Sequence, residues 1–237
     1  MSNLIIHKAN TRGRADHGWL NSFHTFSFSS YHNAERMHFG ALRVLNDDTV
    51  APGMGFGTHP HNNMEIISIP LEGDLEHKDS MGNVAVIKNG DVQVMSAGTG
   101  ISHSEYNKNS TKPVKFLQIW VFPDKKDVTP RYGQMTLNPD DRLNKLQQII
   151  SPNHNDEGLW IHQQAWFYLG KFTEQQKIQH QLHNNNNGLY AFVLSGSLKL
   201  NNTQLDTRDG AGIWNTNKVE FEMNSDSEVL LMEVPMI

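Results

Sequence analysis

The sequence contains no cysteine, which excludes both disulfide bonds and thiolate metal sites. It has no stretch approaching the roughly 20 consecutive apolar residues that a membrane-spanning helix requires. No lysine and arginine cluster is present and the net charge is -5, so a basic nucleic-acid-binding surface is disfavoured. The N-terminus lacks the long apolar run of a secretory signal, and we expect it to form the first strand. These absences favour a cytoplasmic protein without direct nucleic-acid or membrane contact.

Short apolar or alternating runs separated by turn residues dominate the sequence, a pattern typical of β-strands. The 237 residues are enough for one large all-β domain or two small ones. Helix is expected only as a turn or two within residues 142–148 and 173–179. The clearest strand-like runs cover residues 41–45, 65–71, 84–87 and 114–122.

A weak internal repeat relates the two halves of the chain. Apolar runs at residues 66–71 and 189–194 each lead into a glycine turn, at Gly73 and Gly196. Two similar antiparallel β-barrels in tandem would explain this repeat. The polar segment of residues 123–156, rich in Pro, Asp and Asn, suits a connector between them.

Two short strings carry most of the functional information. His59-Pro60-His61 and His103-Ser104-Glu105 each place two metal-ligand side chains at positions i and i+2. On a β-strand such side chains point to the same face, so two adjacent strands would converge four ligands on one point. Imidazole and carboxylate groups suit first-row transition metals, and four ligands leave coordination positions open for catalysis.

Two alternatives weaken this interpretation when the residues alone are considered. A single His-x-His string is often just a pair of solvent-facing histidines, although two paired strings after glycine turns are more specific. Glu65 shares the strand parity of His61 and therefore competes with Glu105 as the carboxylate. Spacing alone leaves both glutamates open.

Other histidines among the thirteen are expected to have ordinary roles. His77 lies in the charged segment with Glu76, Lys78 and Asp79, and we expect it on the surface. Three histidines near the aromatic segment of residues 23–28 are expected to pack in the core: His24, His32 and His38.

The second half offers His180 and His183 ahead of its repeated strand. Residues three apart on one strand face opposite sides, so this pair is not expected to chelate a metal. We therefore expect the second barrel to keep the fold and to lack a metal.

The N-terminal half, over roughly residues 1 to 135, resembles the pirin family of the cupin superfamily. The likeness is greatest with the bacterial branch of quercetin 2,3-dioxygenase-like proteins. It rests on motifs that occur in family order: His24-Thr25-Phe26-Ser27-Phe28 with Tyr31, residues 42–48, residues 55–61, residues 64–66, residues 95–101 and His103-Ser104-Glu105.

This resemblance implies a bicupin of two jelly-roll barrels with few short helices. Residues 1–135 would form the cupin barrel with the metal site, and residues 136–237 a degenerate cupin barrel without metal. The family's ligands fall on one set of four residues, which favours Glu105 over Glu65: His59, His61, His103 and Glu105. The cofactor would be one divalent transition metal, with iron as first choice and copper, manganese, cobalt, nickel or zinc as alternatives.

Two functions are compatible with these features. The first is a metal-dependent dioxygenase that cleaves flavonols such as quercetin with dioxygen and releases carbon monoxide, with Glu105 as general base. The alternative is a metal-dependent redox-sensing regulator that acts through protein partners. Because tandem barrels cover their own sheet edges, we expect a monomer.

Overall fold

The computed structural model describes residues 2–237, most of which lie in strands. Within that range, the helical segments are two short 3-10 helices, Ala9–Thr11 and Pro139–Arg142. In chain order the strands are β1 (Asn3–His7), β2 (Gly13–Asp16), β3 (Leu20–His24), β4 (Leu42–Val50), β5 (Gly55–His61), β6 (Glu65–Glu72), β7 (Leu75–Asp79), β8 (Val84–Ile87), β9 (Asp91–Ser96), β10 (Ile101–Asn107), β11 (Val114–Val121), β12 (Arg131–Thr136), β13 (Leu146–Ser151), β14 (Leu159–Trp160), β15 (Trp166–Phe172), β16 (Gln176–Gln181), β17 (Asn187–Ser195), β18 (Ser197–Leu200), β19 (Thr203–Asp206), β20 (Gly210–Trp214), β21 (Lys218–Met223) and β22 (Ser227–Pro235).

The strands form two barrels, each built from a seven-stranded and a four-stranded sheet. The first barrel contains the orders β12-β9-β6-β11-β4-β3-β2 and β5-β10-β7-β8. The second contains β1-β20-β17-β22-β15-β13-β14 and β16-β21-β18-β19, which repeats the same arrangement of strands. Pairing is antiparallel except where β14 joins β13. The predicted all-β fold with two tandem barrels is confirmed.

The weak sequence repeat corresponds to equivalent central strands, β6 and β17. Both strands are buried along nearly their whole length, as expected for strands covered on both faces. Each is followed directly by a glycine in the left-handed region, Gly73 with φ 78° and Gly196 with φ 70°. The two seven-stranded sheets pack face to face through a shared apolar core that includes Ile67 and Phe192.

One strand crosses from the first half of the chain to the second barrel. β1 pairs with β20, so that Asn3 lies opposite Trp214 and His7 lies opposite Gly210. β1 therefore belongs to the second barrel, and for the rest of the chain we retain the division after residue 135 as a proposal.

Three local expectations were wrong. The segment of residues 123–156 is not a plain connector, since it contains β12 and β13. β12 pairs with β9 in the first barrel, and β13 pairs with β15 in the second. The helical turns expected within residues 142–148 and 173–179 are absent beyond Arg142, the last residue of the second 3-10 helix, and the later residues of both segments enter β13 and β16. Pairing with neighbouring strands overrides the weak local preference of these segments for helix.

Candidate metal centre

Three imidazoles meet at one end of the first barrel. His59 lies on β5 directly opposite His103 on β10, and His61 lies two residues further along β5. One nitrogen atom from each ring can be chosen so that all three lie within 4.8 Å of one another. The ring centroids of His59 and His103 are 4.4 Å apart. The structure thus brings together the three histidines of the two strings.

The lone pairs of these imidazoles are available for a metal. His59 Nδ1 lies 2.8 Å from the carbonyl oxygen of Gly57, which fixes the proton on Nδ1 and leaves Nε2 free. Burial and the neighbouring His59 lower the pKa of His61 to about 4. Burial, followed by the charges of the surrounding histidines, lowers the pKa of His103 to about 2. Neutral imidazole is the form that ligates metals.

An orphaned buried atom gives an independent sign that the cluster fits a metal. His103 Nε2 is buried and has no hydrogen-bond partner within the described part of the chain. A buried polar atom without a partner is costly, and a metal ion at the centre of the three rings would satisfy it. The donor set therefore matches a divalent transition metal.

Glu105, the predicted fourth ligand, does not belong to this group of converging ligand atoms, and its side chain is buried in the barrel interior. A register shift separates His103 from Glu105, which lies opposite Phe56 on β5. Its buried carboxyl group accepts hydrogen bonds from Gln118 Nε2 at 2.7 Å and from the Ser68 hydroxyl at 3.1 Å. Burial raises the pKa of Glu105 to about 7. A carboxyl group so placed is suited to exchange a proton near neutral pH.

Glu65, the rival carboxylate, occupies a different environment. Its carboxyl group accepts a hydrogen bond from the Ser96 hydroxyl at 2.7 Å. Burial raises its pKa to about 7, while Ser96, the charge of Arg131 and the backbone of His162 act in the opposite direction. These contacts tie Glu65 to Arg131 and to the second half of the chain rather than to the three imidazoles.

The expectation that His77 lies on the surface was wrong. Its side chain is fully buried, and its Nδ1 lies 3.5 Å from His103 Nδ1. Its Nε2 lies 3.1 Å from the Asp79 carboxylate, whose side chain is also fully buried. The sequence did contain a signal, because His77 and Asp79 have the same i, i+2 spacing as the two ligand strings.

A cavity of about 340 Å³ adjoins the cluster and reaches His59 and Glu105. Its walls combine aromatic and polar side chains. His24, expected to pack in the core, is buried and lines this cavity. The same expectation was wrong for His32 and His38, which are exposed. The aromatic lining consists of Trp19, Phe28, Phe56 and Trp120, and the polar lining includes Ser22, Asn46, Asp48 and Gln118. A cavity of this size and chemistry suits a planar aromatic ligand with polar groups.

The two histidines of the second half do come together, contrary to expectation. His180 Nε2 and His183 Nδ1 lie 3.4 Å and 2.9 Å from the same carboxylate oxygen of Glu233. Residues three apart face opposite sides only when both lie on one strand, and here β16 ends at Gln181, before His183. The absence of a metal from this barrel stays a prediction.

The fold and the site together define a two-barrel cupin with a histidine cluster in its first barrel. Residues 6–121 match the family described as Pirin, and residues 148–234 match the family described as the quercetinase C-terminal cupin domain. Across the described chain, no helix is long and apolar enough to span a membrane.

Full-length relatives agree with these family matches. The quercetin 2,3-dioxygenase of Escherichia coli (strain K12) is 42% identical over 234 residues, covering 99% of this chain and 100% of the relative. The pirin-like protein of Caulobacter vibrioides is 37% identical over 222 residues, covering 93% of this chain and 95% of the relative. The bacterial pirin YhhW from Escherichia coli, in complex with nickel(II), superposes with a TM-score of 0.94 at 41% identity, covering 99% and 100% of the two chains. The chain belongs to the pirin family.

Proposed function

We propose that this protein is a metal-dependent dioxygenase that cleaves flavonols such as quercetin with dioxygen and releases carbon monoxide. The observation that carries the proposal is the cluster of three imidazoles beside an aromatic-lined cavity of about 340 Å³. Relatives named quercetin 2,3-dioxygenase that align over the full chain support the same activity.

In this proposal His59, His61 and His103 hold one divalent transition metal, and Glu105 is the fourth ligand. When bound, the metal supplies Lewis-acid stabilisation to an oxyanion and a path for electrons to dioxygen. The solved nickel(II) complex of a similar bacterial pirin supports metal binding by this kind of protein. Iron is our first choice for the native metal, with copper, manganese, cobalt, nickel or zinc as alternatives.

Glu105 is the general base of the proposed reaction. It removes the proton of the flavonol 3-hydroxyl group, while Gln118 Nε2 and the Ser68 hydroxyl hold the carboxyl group in position. Both atoms of dioxygen enter the flavonol as its heterocycle opens, and one ring carbon leaves as carbon monoxide.

The cavity walls orient the substrate and exclude water. Trp120 packs edge-on against His61 with a centroid separation of 4.9 Å, and Trp19 packs edge-on against Phe56 at 5.4 Å. Flat aromatic walls of this kind bind fused aromatic rings through large apolar contacts. A regulator that acts through its surface needs no such cavity, so the lining favours the enzyme over the redox-sensing alternative.

The test is aerobic turnover of quercetin by protein loaded separately with Fe, Cu, Mn, Co or Ni. We expect loss of the flavonol absorbance to be matched by release of carbon monoxide, mole for mole, with at least one metal. Absence of turnover with all five metals would contradict the proposed activity and favour the regulatory alternative.

A further inference from the structure

We infer that His77 and Asp79 are positioning residues that fix the tautomer and orientation of His103, so that its Nε2 faces the metal. This inference rests on the proposed metal centre. It starts from a chain of contacts within the buried interior of the first barrel: Asp79 Oδ2 to His77 Nε2 at 3.1 Å, and His77 Nδ1 to His103 Nδ1 at 3.5 Å.

Asp79 is held as a fixed acceptor at the start of this chain. One of its carboxylate oxygens accepts from the backbone N–H groups of Met81 and Asn83, at 2.9 Å and 3.0 Å. The other accepts from Asn83 Nδ2 at 2.8 Å and from His77. Burial alone would raise the pKa of Asp79, but the hydrogen bonds from Asn83 and His77 lower it, so the group is ionised and accepts only.

The tautomers follow from this fixed acceptor. Because Asp79 only accepts, His77 carries its proton on Nε2, and its Nδ1 is left with a lone pair. That lone pair can only accept, so His103 must carry its proton on Nδ1. Each neutral ring has one proton, which leaves His103 Nε2 with the lone pair that a metal requires. The unpartnered state of this same atom agrees with the assignment.

The strand register makes this arrangement rigid. On the paired strands β7 and β10, Asp79 lies opposite His103 and His77 lies opposite Glu105. The ring of Tyr132 lies against that of His77, with centroids 4.8 Å apart. Carboxylate-to-histidine contacts behind a metal ligand raise its basicity and orient its ring, and their loss typically weakens metal binding by about 10- to 100-fold.

The first readout is the tautomer of His103 in metal-free protein with ¹⁵N-labelled histidine, measured by NMR. The His103→Gln variant identifies the signals of His103 among those of the other histidines. We expect the Nδ1–H tautomer in the wild type, which is the less stable form of a free imidazole in water. In His77→Phe, which keeps a ring beside Tyr132, we expect His103 to shift toward the Nε2–H tautomer.

The second readout is affinity for Ni(II), measured by competition with a chelator. His77→Phe should bind Ni(II) about 10- to 100-fold more weakly than the wild type. The matched control is His7→Phe, which removes a buried imidazole bonded to Tyr190 in the other barrel, and it should leave the affinity unchanged.

The outcomes separate this inference from the proposed function. An Nε2–H tautomer of His103 in the wild type would overturn the inference, even if His77→Phe does not fold. Unchanged Ni(II) affinity and an unchanged tautomer in folded His77→Phe would overturn it as well. The expected tautomer shift in protein that turns over no flavonol would support the positioning role and contradict only the proposed activity.

Discussion

The two barrels share one strand order but differ in the side chains that two pairs of equivalent strands turn inward. β10 of the first barrel turns His103 and Glu105 inward. The equivalent strand of the second barrel, β21, turns only apolar side chains into the core: Val219, Phe221 and Met223. The fold therefore closes equally well around an apolar strand, and the polar residues of β10 are not needed to build it.

A second pair of equivalent strands shows the same contrast. β7 carries His77 and Asp79 inward, whereas β18 carries Leu198 and Leu200. Buried polar side chains cost free energy unless they are hydrogen-bonded, and an apolar interior avoids that cost. The polar cluster on β7 and β10 therefore has no counterpart on the equivalent strands β18 and β21, where the interior positions are apolar.

The largest expected effect comes from breaking the cluster itself. His59→Ala or His103→Ala should weaken Ni(II) binding by roughly 100-fold or more, because a ligand is lost rather than a supporting contact. The fold should be largely retained, as judged by circular dichroism. The matched change in the other barrel, His180→Ala, should leave Ni(II) binding intact. Unfolding of either ligand variant would show that the histidines are structural instead.

The next effect separates the two buried glutamates. Glu105→Gln should retain some metal through the three histidines and lower flavonol turnover by about 10²- to 10⁴-fold, because the proposed general base is removed. Glu65→Gln is the control, since that residue is equally buried but bonded to Ser96. Steady-state turnover of quercetin is the measurement. Unchanged turnover in Glu105→Gln would remove this residue from the mechanism and restore Glu65 as a candidate.

The third effect addresses the apolar interior of the second barrel. Phe221→Ala should lower the free energy of unfolding by about 3–5 kcal/mol, because a large, fully buried ring is lost. Ni(II) affinity of the folded variant should match that of the wild type. Chemical denaturation and metal competition measure the two quantities. Weaker metal binding by folded Phe221→Ala would show that the metal site of the first barrel depends on the apolar core of the second.

The smallest effect concerns the pH dependence of stability in metal-free protein. Burial raises the pKa of Asp48 to about 7, above the value of about 4 expected in the unfolded chain. The native state therefore binds more protons between these values, and stability falls as the pH rises from about 4 to about 7, by up to ~1.4 kcal/mol per pH unit for one carboxyl group.

Asp48→Asn should make this decline shallower, so that its advantage over the wild type is larger at pH 8 than at pH 5. Glu174→Gln, which alters an exposed carboxyl group, is the control and should keep the wild-type slope. Denaturation across this pH range is the measurement. An unchanged slope in Asp48→Asn would show that the pKa of Asp48 is not raised in the native state.

Alternation along single strands predicted much of this site, and pairing between strands supplied the rest. The i, i+2 spacing placed His59 and His61 on one face, and the structure brings both beside His103. The same spacing joins His77 and Asp79, but the intervening Lys78 suggested a solvent-exposed segment. Their burial depends on the register of β7 with β10, which no local pattern contains.

The ends of strands were the other source of error. The contact of His180 and His183 with Glu233 depends on where β16 ends, and strand ends are poorly defined by propensity. The helical turns expected around residues 142–148 failed for a related reason, because pairing of β13 with β15 decides that segment.

The most direct test of the central claim is quercetin turnover measured against the amount of metal bound per chain. The account predicts that turnover and carbon monoxide release rise in proportion to bound metal up to about one ion per chain. His59→Ala should hold far less metal per chain and show no turnover under the same conditions. Turnover that is independent of bound metal, or that persists in His59→Ala, would contradict the assignment of the chemistry to the histidine cluster.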